Sequence, residues 1–224
     1  MAHPLWPLFD LRVRSERLEL RYPTDDDLVE LVAVAKAGIH PPDEMPFAVP
    51  WTDLPSPAFE RSFVQYHWTT RAEWKPDHWI LNLAAVLDGR PIGTQGMEAT
   101  NFAVLRTVST GSWLGRQWQG QGIGKEMRSA ILALAFDGLG AEVAVSGAFL
   151  DNPSSSGVSR ALGYVENGIE RLAPRGEAKD LTRYRLTREV WRSRPRPAVE
   201  IDGLDACLEL FGAVPAPGAE PAAR

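Results

Sequence analysis

A glycine-rich segment in the middle of the chain constrains the fold more than any other feature. It reads Gln119-Gly120-Gln121-Gly122-Ile123-Gly124, follows the strand-like stretch Thr107–Leu114, and leads into an amphipathic helix at Lys125. Glycines at such a junction let the backbone turn sharply and present its free N–H groups at the positive end of the helix. The segment therefore predicts an α/β fold that binds a phosphate-bearing ligand.

Two common phosphate-binding motifs do not fit this segment. A Walker loop ending at Gly124-Lys125 needs glycine at position 119 and serine or threonine at 126, where the chain has Gln119 and Glu126. A dinucleotide fingerprint needs one more residue before the third glycine, and it belongs near the first strand. Taken alone, the glycines are also compatible with a tight turn and a close helix–sheet contact that binds nothing.

Composition narrows the class of protein. The chain has 224 residues, 44% of them hydrophobic, and a formal net charge of −5, which is typical of one globular domain and argues against nucleic acid as the main partner. The single cysteine, Cys207, excludes an internal disulfide framework, and the four histidines show no metal-binding spacing. No apolar run approaches the ~18 residues of a membrane span, and no signal peptide is recognisable. We therefore expect a cytoplasmic protein without a bound metal.

Hydrophobic periodicity predicts the order strand, two helices, three strands, helix, strand, helix and two strands. This order is typical of a single domain built on a mixed α/β sheet. We assign residues 1–191 to that domain and 192–224 to a C-terminal extension. Within the extension, the apolar stretch 201–212 is expected to dock as a short strand or helix or to pack on another subunit. Residues 214–224 are expected to be disordered.

Three separated motifs resemble the GNAT acyltransferases. The first is the glycine segment together with the Gly111-Ser112-Trp113-Leu114-Gly115 that precedes it. The second runs from Asn152-Pro153-Ser154-Ser155 through Val158 and Leu162 to Gly163-Tyr164. The third, Arg17-Leu18-Glu19-Leu20-Arg21 with Thr24 and Asp27, is similar to the branch that contains ribosomal-protein N-terminal acetyltransferases. The end of the chain, 199–212, resembles a subgroup that includes succinyl-CoA-using protein acyltransferases.

The resemblance implies a mixed, mostly antiparallel sheet of about seven strands that is splayed where acyl-CoA binds. It implies that backbone groups of Trp113 and Leu114 pair with the pantetheine amides. It further implies that the amides from Gln119 to Lys125 wrap the pyrophosphate, with the Lys125 side chain as an added charge or a solvated residue. The residues implied to bind acetyl-CoA or another acyl-CoA such as succinyl-CoA are Trp113, Leu114, Gln119, Gly120, Gln121, Gly122, Ile123, Gly124, Lys125, Asn152 and Ser155.

The implied reaction is attack of an amine on the thioester, which needs a base for the ammonium and an acid for the leaving thiol. The family's usual tyrosine acid is replaced by Ser159, so Ser155 is the candidate acid, with helix capping or pantetheine contact as its alternative role. The strand carboxylate common in the family is also missing. Glu98 on the preceding strand is the candidate base, with His40 and His78 as alternatives.

The acceptor is an amine of a protein or a small molecule, and the proline-rich segment His40–Pro57 with Met45, Phe47 and Trp51 is expected to shape its site. Two other functions remain open. One is a non-catalytic acyl-CoA sensor, which the missing tyrosine and strand carboxylate favour. The other is acetylation of an amine drug, for which Asp25-Asp26-Asp27 is weak support because these residues suit a helix N-terminus. A homo-oligomer, with 201–212 closing the site of a partner subunit, is a further expectation.

Overall fold

A nine-stranded sheet crosses the protein in the computed structural model, which describes residues 3–213. Its spatial order is β7-β8-β6-β5-β4-β3-β2-β1-β9. Paired neighbours are antiparallel except β5 and β6, which are parallel. The strands are β1 (Arg12–Arg14), β2 (Leu18–Arg21), β3 (His78–Leu87), β4 (Arg90–Thr100), β5 (Thr107–Leu114), β6 (Val143–Phe149), β7 (Val165–Leu172), β8 (Lys179–Thr187) and β9 (Glu200–Asp202).

Helices cover both faces of the sheet because the side chains of β3 alternate between two apolar clusters. Leu83 and Ala85 belong to the main core, to which the helix after the glycine segment contributes. Ala84 and Val86 point the other way, against the first two helices. The helices are α1 (Asp25–Ala37), α2 (Ala58–Ala72), α3 (Phe102–Leu105), α4 (Ile123–Ala133), α5 (Pro153–Ala161) and α6 (Arg188–Ser193).

Helix α1 begins at a reciprocal capping box. The Thr24 hydroxyl accepts from the Asp27 N–H at 3.1 Å, and the Asp27 carboxylate accepts from the Thr24 N–H at 2.9 Å. Arg21 donates to the same carboxylate at 2.6 Å. Burial alone would raise the pKa of Asp27, but the bonds from Arg21 and Thr24 hold that pKa below its ordinary value. The sequence pattern T-x-x-D thus predicted the correct start of α1.

Strands β5 and β6 separate after a short paired stretch. Their parallel register covers Thr107–Ser109 against Val143–Val145, whereas β5 stays paired with β4 as far as Leu114 and β6 stays paired with β8 as far as Phe149. A gap therefore opens between residues 110–114 of β5 and 146–149 of β6, which we call the strand gap. The predicted fold class, a splayed and mostly antiparallel α/β sheet flanked by helices, is confirmed.

The sheet has two strands more than the sequence predicted, β1 and β9. Each has three residues and one inward apolar side chain, Val13 or Ile201, which pair with each other. Such short strands carry too little periodicity to be recognised in a sequence. They form because the fold brings residues 12–14 and 200–202, which lie near the two ends of the described range 3–213, together at one edge of the sheet.

The segment after β9 packs on its own domain. Cys207 and Phe211 are fully buried, and the indole N–H groups of Trp74 and Trp79 donate to the carbonyls of Leu210 and Phe211 at 2.8 and 3.2 Å. Burial, with Asp10 nearby, raises the pKa of the Cys207 thiol to about 11, so this cysteine stays protonated. Docking on the same chain accounts for the apolar character of 201–212 without a second subunit. The predicted boundary at 191 stays a prediction, and 214–224 lies outside the described residues.

Candidate active site

The loop between β5 and α4 presents a run of unpaired backbone donors. Six consecutive N–H groups, from Gly120 to Lys125, donate to no acceptor within residues 3–213, and the first α4 bond runs from the Glu126 N–H to the Gly122 carbonyl. Gly120 and Gly122 have φ of +74° and +78°, which side-chain-bearing residues rarely adopt. Free amides at a helix N-terminus form a ready anion site. We call residues 119–125 the anion loop.

The loop leaves room on its outer side and is held from behind. A Cβ on Gly120 or Gly124 would meet no protein atom within 4 Å, so the space beside them is open to a ligand. Behind the loop, the Gln119 amide donates to the carbonyls of Ile39 and Leu114 at 2.7 and 2.8 Å. The N–H of Gln119 differs from the expectation, because it donates to Arg116 rather than facing outward.

Of the other side chains of the loop, two hold it against the protein and one is exposed to solvent. Gln121 donates to the Gln117 carbonyl at 2.9 Å, and Ile123 is buried in the core. Lys125 is exposed and makes no ion pair with any residue that the structure describes. Glu126 accepts from the Ser15 hydroxyl and from Arg17, at 2.7 and 2.6 Å, which ties the turn before β2 to the start of α4. The loop is therefore anchored to the turn before β2 and to its own neighbours, and the exposed Lys125 ammonium stands at its rim.

The backbone of β5 shows which groups face the strand gap. The Gly115 N–H donates to Ile92 on β4, and the Gly111 carbonyl accepts from Gln95 of β4, so odd-numbered residues of this stretch face β4. The alternate residues, Ser112 and Leu114, face the gap. Leu114 thus presents its N–H to the strand gap, as expected. The expectation for Trp113 differs from the structure, because its backbone groups face β4. The Trp113 side chain lines a cavity on the face of the sheet opposite α4.

A buried arginine fills the strand gap from the α4 side. Arg128 is 4% exposed and donates to the hydroxyls of Ser146 on β6 and Ser112 on β5, at 2.9 and 3.4 Å. Its Nε has no partner, and no carboxylate within residues 3–213 pairs with it. A buried cation without a counterion is costly, so its place in this gap points to an anion that arrives with a ligand. Sequence reasoning missed it because α4 reads as an ordinary amphipathic helix.

The end of β6 brings the second motif to the same edge of the sheet. Because β5 and β6 are parallel, α4 and α5 both start at this edge, on either side of the strand gap. The Asn152 side chain caps α5 by accepting from the Ser155 N–H at 3.1 Å. The Ser155 hydroxyl is half-buried and bonds to no residue in the described range. Asn152 therefore has a structural role, and Ser155 keeps a free hydroxyl.

A cavity of about 550 Å³ opens on the face of β5 opposite α4. It lies between the loop before α2, α2 itself, and strands β3, β4 and β5. Six ring-bearing side chains wall it, and we call it the aromatic cavity: Phe47, Trp51, Phe63, Tyr66, His67 and Trp113. Trp51 is the centre, with ring centroids 5.7 Å from Phe63 and 5.8 Å from Trp113. Of the expected wall residues, Phe47 and Trp51 line the cavity, and Met45 is buried in the loop.

Glu98 stands at the junction of the cavity and the strand gap. It pairs with Ser109 across β4 and β5, and Ser109 is the last residue of β5 that pairs with β6. Its exposed carboxylate lines the aromatic cavity and also a second hollow that contains His78 and Leu105. Among the described residues, Glu98 is the only acidic or basic residue on the wall of the aromatic cavity, histidine aside, so its position suits a base for an amine held there.

The two histidines proposed as alternative bases lie elsewhere. His40 uses both ring nitrogens, at 2.8 Å, to hold the Pro41 carbonyl and the Thr52 hydroxyl within the loop. His78 is exposed and bonds to Thr100 at 3.1 Å. The histidine of the aromatic cavity is His67, which the sequence analysis did not single out, although it follows Phe59 and Phe63 at helical spacing. It is 3% exposed, and burial, then Arg71, lower its pKa from 6.5 to about 4.

Comparison with known proteins decides the family. The family model for the acetyltransferase (GNAT) domain matches residues 17–165, which is well over half of the chain. The chain belongs to the GNAT acetyltransferase family. This protein is accordingly an enzyme of the acyl-CoA-dependent N-acyltransferase type, and the resemblance inferred from the three motifs is confirmed.

Solved structures share the fold of this acetyltransferase at low sequence identity. RimJ of Mycobacterium smegmatis, in complex with CoA-disulfide, is 19% identical with a TM-score of 0.68, covering 85% of this chain and 92% of its own. A SpeG spermidine N-acetyltransferase chimera from Vibrio cholerae and hSSAT is 18% identical with a TM-score of 0.63, covering 80% and 100%. RimL, a ribosomal L7/L12 alpha-N-protein acetyltransferase, is 19% identical with a TM-score of 0.57, covering 77% and 91%.

Two absences among the described residues complete the description of the site. Within 3–213, no helix combines the length and apolar character that crossing a membrane requires. Across the same residues, no group of three or more His, Cys, Asp or Glu side chains is arranged to hold a metal ion. The site of this acetyltransferase is thus described by the anion loop, the strand gap, Arg128, Ser155, Glu98 and the aromatic cavity.

Proposed function

We propose that this enzyme moves an acetyl or succinyl group from acyl-CoA to a primary amine of a protein or small molecule by direct attack on the thioester. The observation that carries the proposal is the arrangement around β5. The anion loop follows its carboxyl end, its unpaired edge borders the strand gap, and its opposite face walls the aromatic cavity. One strand thus separates an anion site from a cavity for an acceptor.

The residues present suit acyl-CoA. The N–H groups of Gly120 to Lys125, with the Lys125 ammonium, would hold the pyrophosphate, and the backbone of Ser112 and Leu114 would pair with the pantetheine amides. Asn152 would shape the α5 side of the gap through its cap. RimJ, a structure with the same fold, holds a CoA-disulfide. Acyl-CoA supplies the activated acyl group, and the protein supplies position and charge.

The transfer forms a C–N bond and breaks the thioester C–S bond. The acceptor arrives as an ammonium with a pKa of ~10.4, so its proton must leave first, and Glu98 is placed to take it directly or through water. A backbone N–H of β5 that faces the strand gap would stabilise the carbonyl oxygen as it gains charge. Arg128 stabilises the sulfur as it leaves with the electron pair of the broken bond. The Ser155 hydroxyl donates a proton to that sulfur and recovers one from the attacking nitrogen, which gives up its surplus proton as the amide forms, so the serine ends neutral.

The names of structural neighbours bear on the acceptor. RimL is named for alpha-N-protein acetylation and the SpeG chimera for spermidine. Both acceptors carry primary amines, which suits a base at Glu98. We expect the enzyme to act in the cytoplasm as a homo-oligomer, with neither nucleic acid nor membrane as a partner.

A specific observation keeps an acyl-CoA sensor as the second candidate. Ser159 occupies the position of the family's tyrosine acid, is fully buried, and has a hydroxyl without a partner. A protein that binds acyl-CoA but lacks an effective acid would retain the ester. Sensor and enzyme then differ in one measurable product, the free CoA thiol.

Thermal-shift titration of the purified protein with acetyl-CoA, succinyl-CoA, CoA, ATP and NAD tests the binding half of the proposal. A ligand at 100 times its Kd adds about 2.7 kcal/mol of stability. We expect shifts with CoA species only, and their ranking identifies the acyl group. No shift with any CoA species contradicts the proposal.

Thiol release with a panel of primary amines tests the catalytic half. Glu98→Gln should lower kcat at least about a hundredfold, and Ser155→Ala should lower it less, with the CoA-induced thermal shift preserved in both variants. Thr100→Ala, an exposed change on the same strand, serves as the control. Acyl-CoA binding without thiol release from the wild-type protein would select the sensor instead.

A further inference from the structure

The aromatic cavity has a composition that restricts what it can bind. Its walls come from five places in the chain, a loop, α2 and three strands, and six of the lining side chains carry a ring. Phe63 and Trp113 meet edge to face with centroids 6.0 Å apart, and Phe63 lies 4.9 Å from the His67 ring. Rings packed this closely form a preorganised apolar wall.

The formal charge on the described wall of the cavity is negative and comes from a single residue. Within residues 3–213, no lysine or arginine lines the cavity, and Glu98 is the one carboxylate that does. Such a wall favours a ligand with one positive charge, since an ammonium gains both from the carboxylate and from the faces of the rings. A second positive charge on the same ligand would meet rings without a second carboxylate.

His67 adds a polar group to the cavity wall. It is almost completely buried, it lines the cavity, and neither ring nitrogen bonds to a residue in the described range. Buried polar groups are normally satisfied, so an open imidazole nitrogen on a cavity wall points to a ligand donor or a water in that place. Its low pKa keeps the ring neutral near pH 7, where it accepts a hydrogen bond without repelling a cation.

We propose that the aromatic cavity selects a primary amine with a single positive charge on an apolar body, with Glu98 opposite the ammonium and His67 accepting a hydrogen bond from the acceptor. This inference rests on the proposed function and names its substrate class. The same chemistry has two sources, a free arylalkylamine and the N-terminus of a peptide whose first residue is large and apolar. Polyamines and multiply charged amine drugs are disfavoured.

Steady-state kinetics with saturating acyl-CoA test this selection. The acceptors are 2-phenylethylamine, a pentapeptide beginning with phenylalanine, a pentapeptide beginning with glycine, and spermidine. We expect kcat/KM for the phenylalanine peptide or for 2-phenylethylamine to exceed that for spermidine at least about tenfold. Preference for the phenylalanine peptide over 2-phenylethylamine identifies a protein acceptor, and the reverse identifies a small molecule. Spermidine as the best acceptor, or kcat/KM values for 2-phenylethylamine and the phenylalanine peptide that both fail to exceed that for the glycine peptide, overturns the inference.

Variants of the wall locate the selectivity. Trp51→Leu and the half-exposed Tyr66→Leu should raise KM for the preferred amine about five- to tenfold with a smaller change in kcat. Trp68→Leu is the matched control, because Trp68 is a half-exposed ring on the same helix, outside the cavity. His67→Phe should raise KM, and His67→Gln, which keeps an acceptor atom, should restore most of it. Equal KM values in wild type, Trp51→Leu and Trp68→Leu contradict the proposal.

The outcomes separate this inference from the proposed function. If CoA species give no thermal shift, the proposed function fails, whatever the amines do. If CoA species bind and thiol is released fastest with polyamines, the function stands and the inference fails. If CoA species bind and no amine is acylated, both the transferase and the acceptor class are wrong.

Discussion

The anion loop follows the end of β5, the aromatic cavity lies on one face of the same strand, and the two are built in different ways. The loop is one continuous segment that offers main-chain N–H groups, with Gly120 and Gly122 setting the backbone direction. The cavity joins side chains from a loop, from α2 and from three strands, including Trp51, His67 and Glu98. A binding site made of main chain can be read from a local pattern, whereas one made of distant side chains appears only after folding. Four measurements sharpen this comparison.

The largest effect is expected in the loop. Gly122→Val forces a β-branched residue to φ +78° and disturbs the amides around it, so CoA binding should weaken roughly a hundredfold. Gly89→Val is the control, because Gly89 has the same φ of +78° in the β3–β4 turn, far along the chain from the loop. Both variants should lose similar stability, and only the first should lose affinity in calorimetry. Equal CoA affinity in the two variants would show that the loop does not bind the ligand.

The strand gap should respond next. Arg128→Met removes the buried charge that faces the leaving sulfur, and kcat should fall about thirtyfold, equivalent to about 2 kcal/mol of barrier. The free energy of unfolding should change by no more than about 1 kcal/mol, because an uncompensated buried charge contributes little to folding. Arg128→Lys keeps the charge and should recover part of kcat. A variant that is strongly destabilised but turns over normally would assign Arg128 to packing alone.

The free energy of unfolding should depend on pH through His67 in the cavity wall. His67 has a folded pKa of about 4, below its ordinary 6.5, so the unfolded chain binds more protons between those values and stability falls as the pH drops through that window. Between pH 7 and 5.5 the loss should be about 1 kcal/mol in urea titrations. Arg71 on the same helix acts on the ring electrostatically, and Glu98 lines the same cavity. His67→Gln has no such proton and should lack this part of the pH dependence.

The smallest effect belongs to the anchor behind the loop. Glu126→Gln removes the charge that pairs with Arg17 and keeps the shape, so stability should fall by about 0.5 kcal/mol and CoA affinity by less than about threefold. Glu166→Gln, which breaks an exposed pair with Arg160 at 2.8 Å, is the matched control and should leave CoA affinity unchanged. A tenfold loss of affinity in Glu126→Gln would mean that Arg17 itself contacts the ligand.

Much of the fold was predictable because its signals are local. The capping box at Thr24 and Asp27, the β3–β4 hairpin at Asp88-Gly89, and the full extent of β5 are found where the sequence placed them. The β1–β9 pair was not predicted, since the two strands are three residues long and lie 185 or more positions apart along the chain. Pairing of that kind depends on the rest of the sheet being in place.

The site residues also divide into those that the sequence predicted and those that only the structure revealed. Glu98 was chosen from strand position, and the structure places it on the cavity wall, whereas His40 and His78 are engaged elsewhere. His67 and Arg128 gave no sequence signal. Histidine and arginine are mostly found at the surface, so a helical pattern by itself does not mark these two positions as buried. Only burial without a partner distinguishes them.

The sequence by itself determined the family, the order of elements, the anion loop and the helix caps, because glycine conformation, capping and apolar periodicity act within a few residues. The tertiary structure alone decided where β5 leaves β6, how Arg128 enters that gap, and which rings meet around His67. Those features arise from packing between segments far apart in the chain. Their physical basis is the exclusion of water from groups that no local pattern brings together.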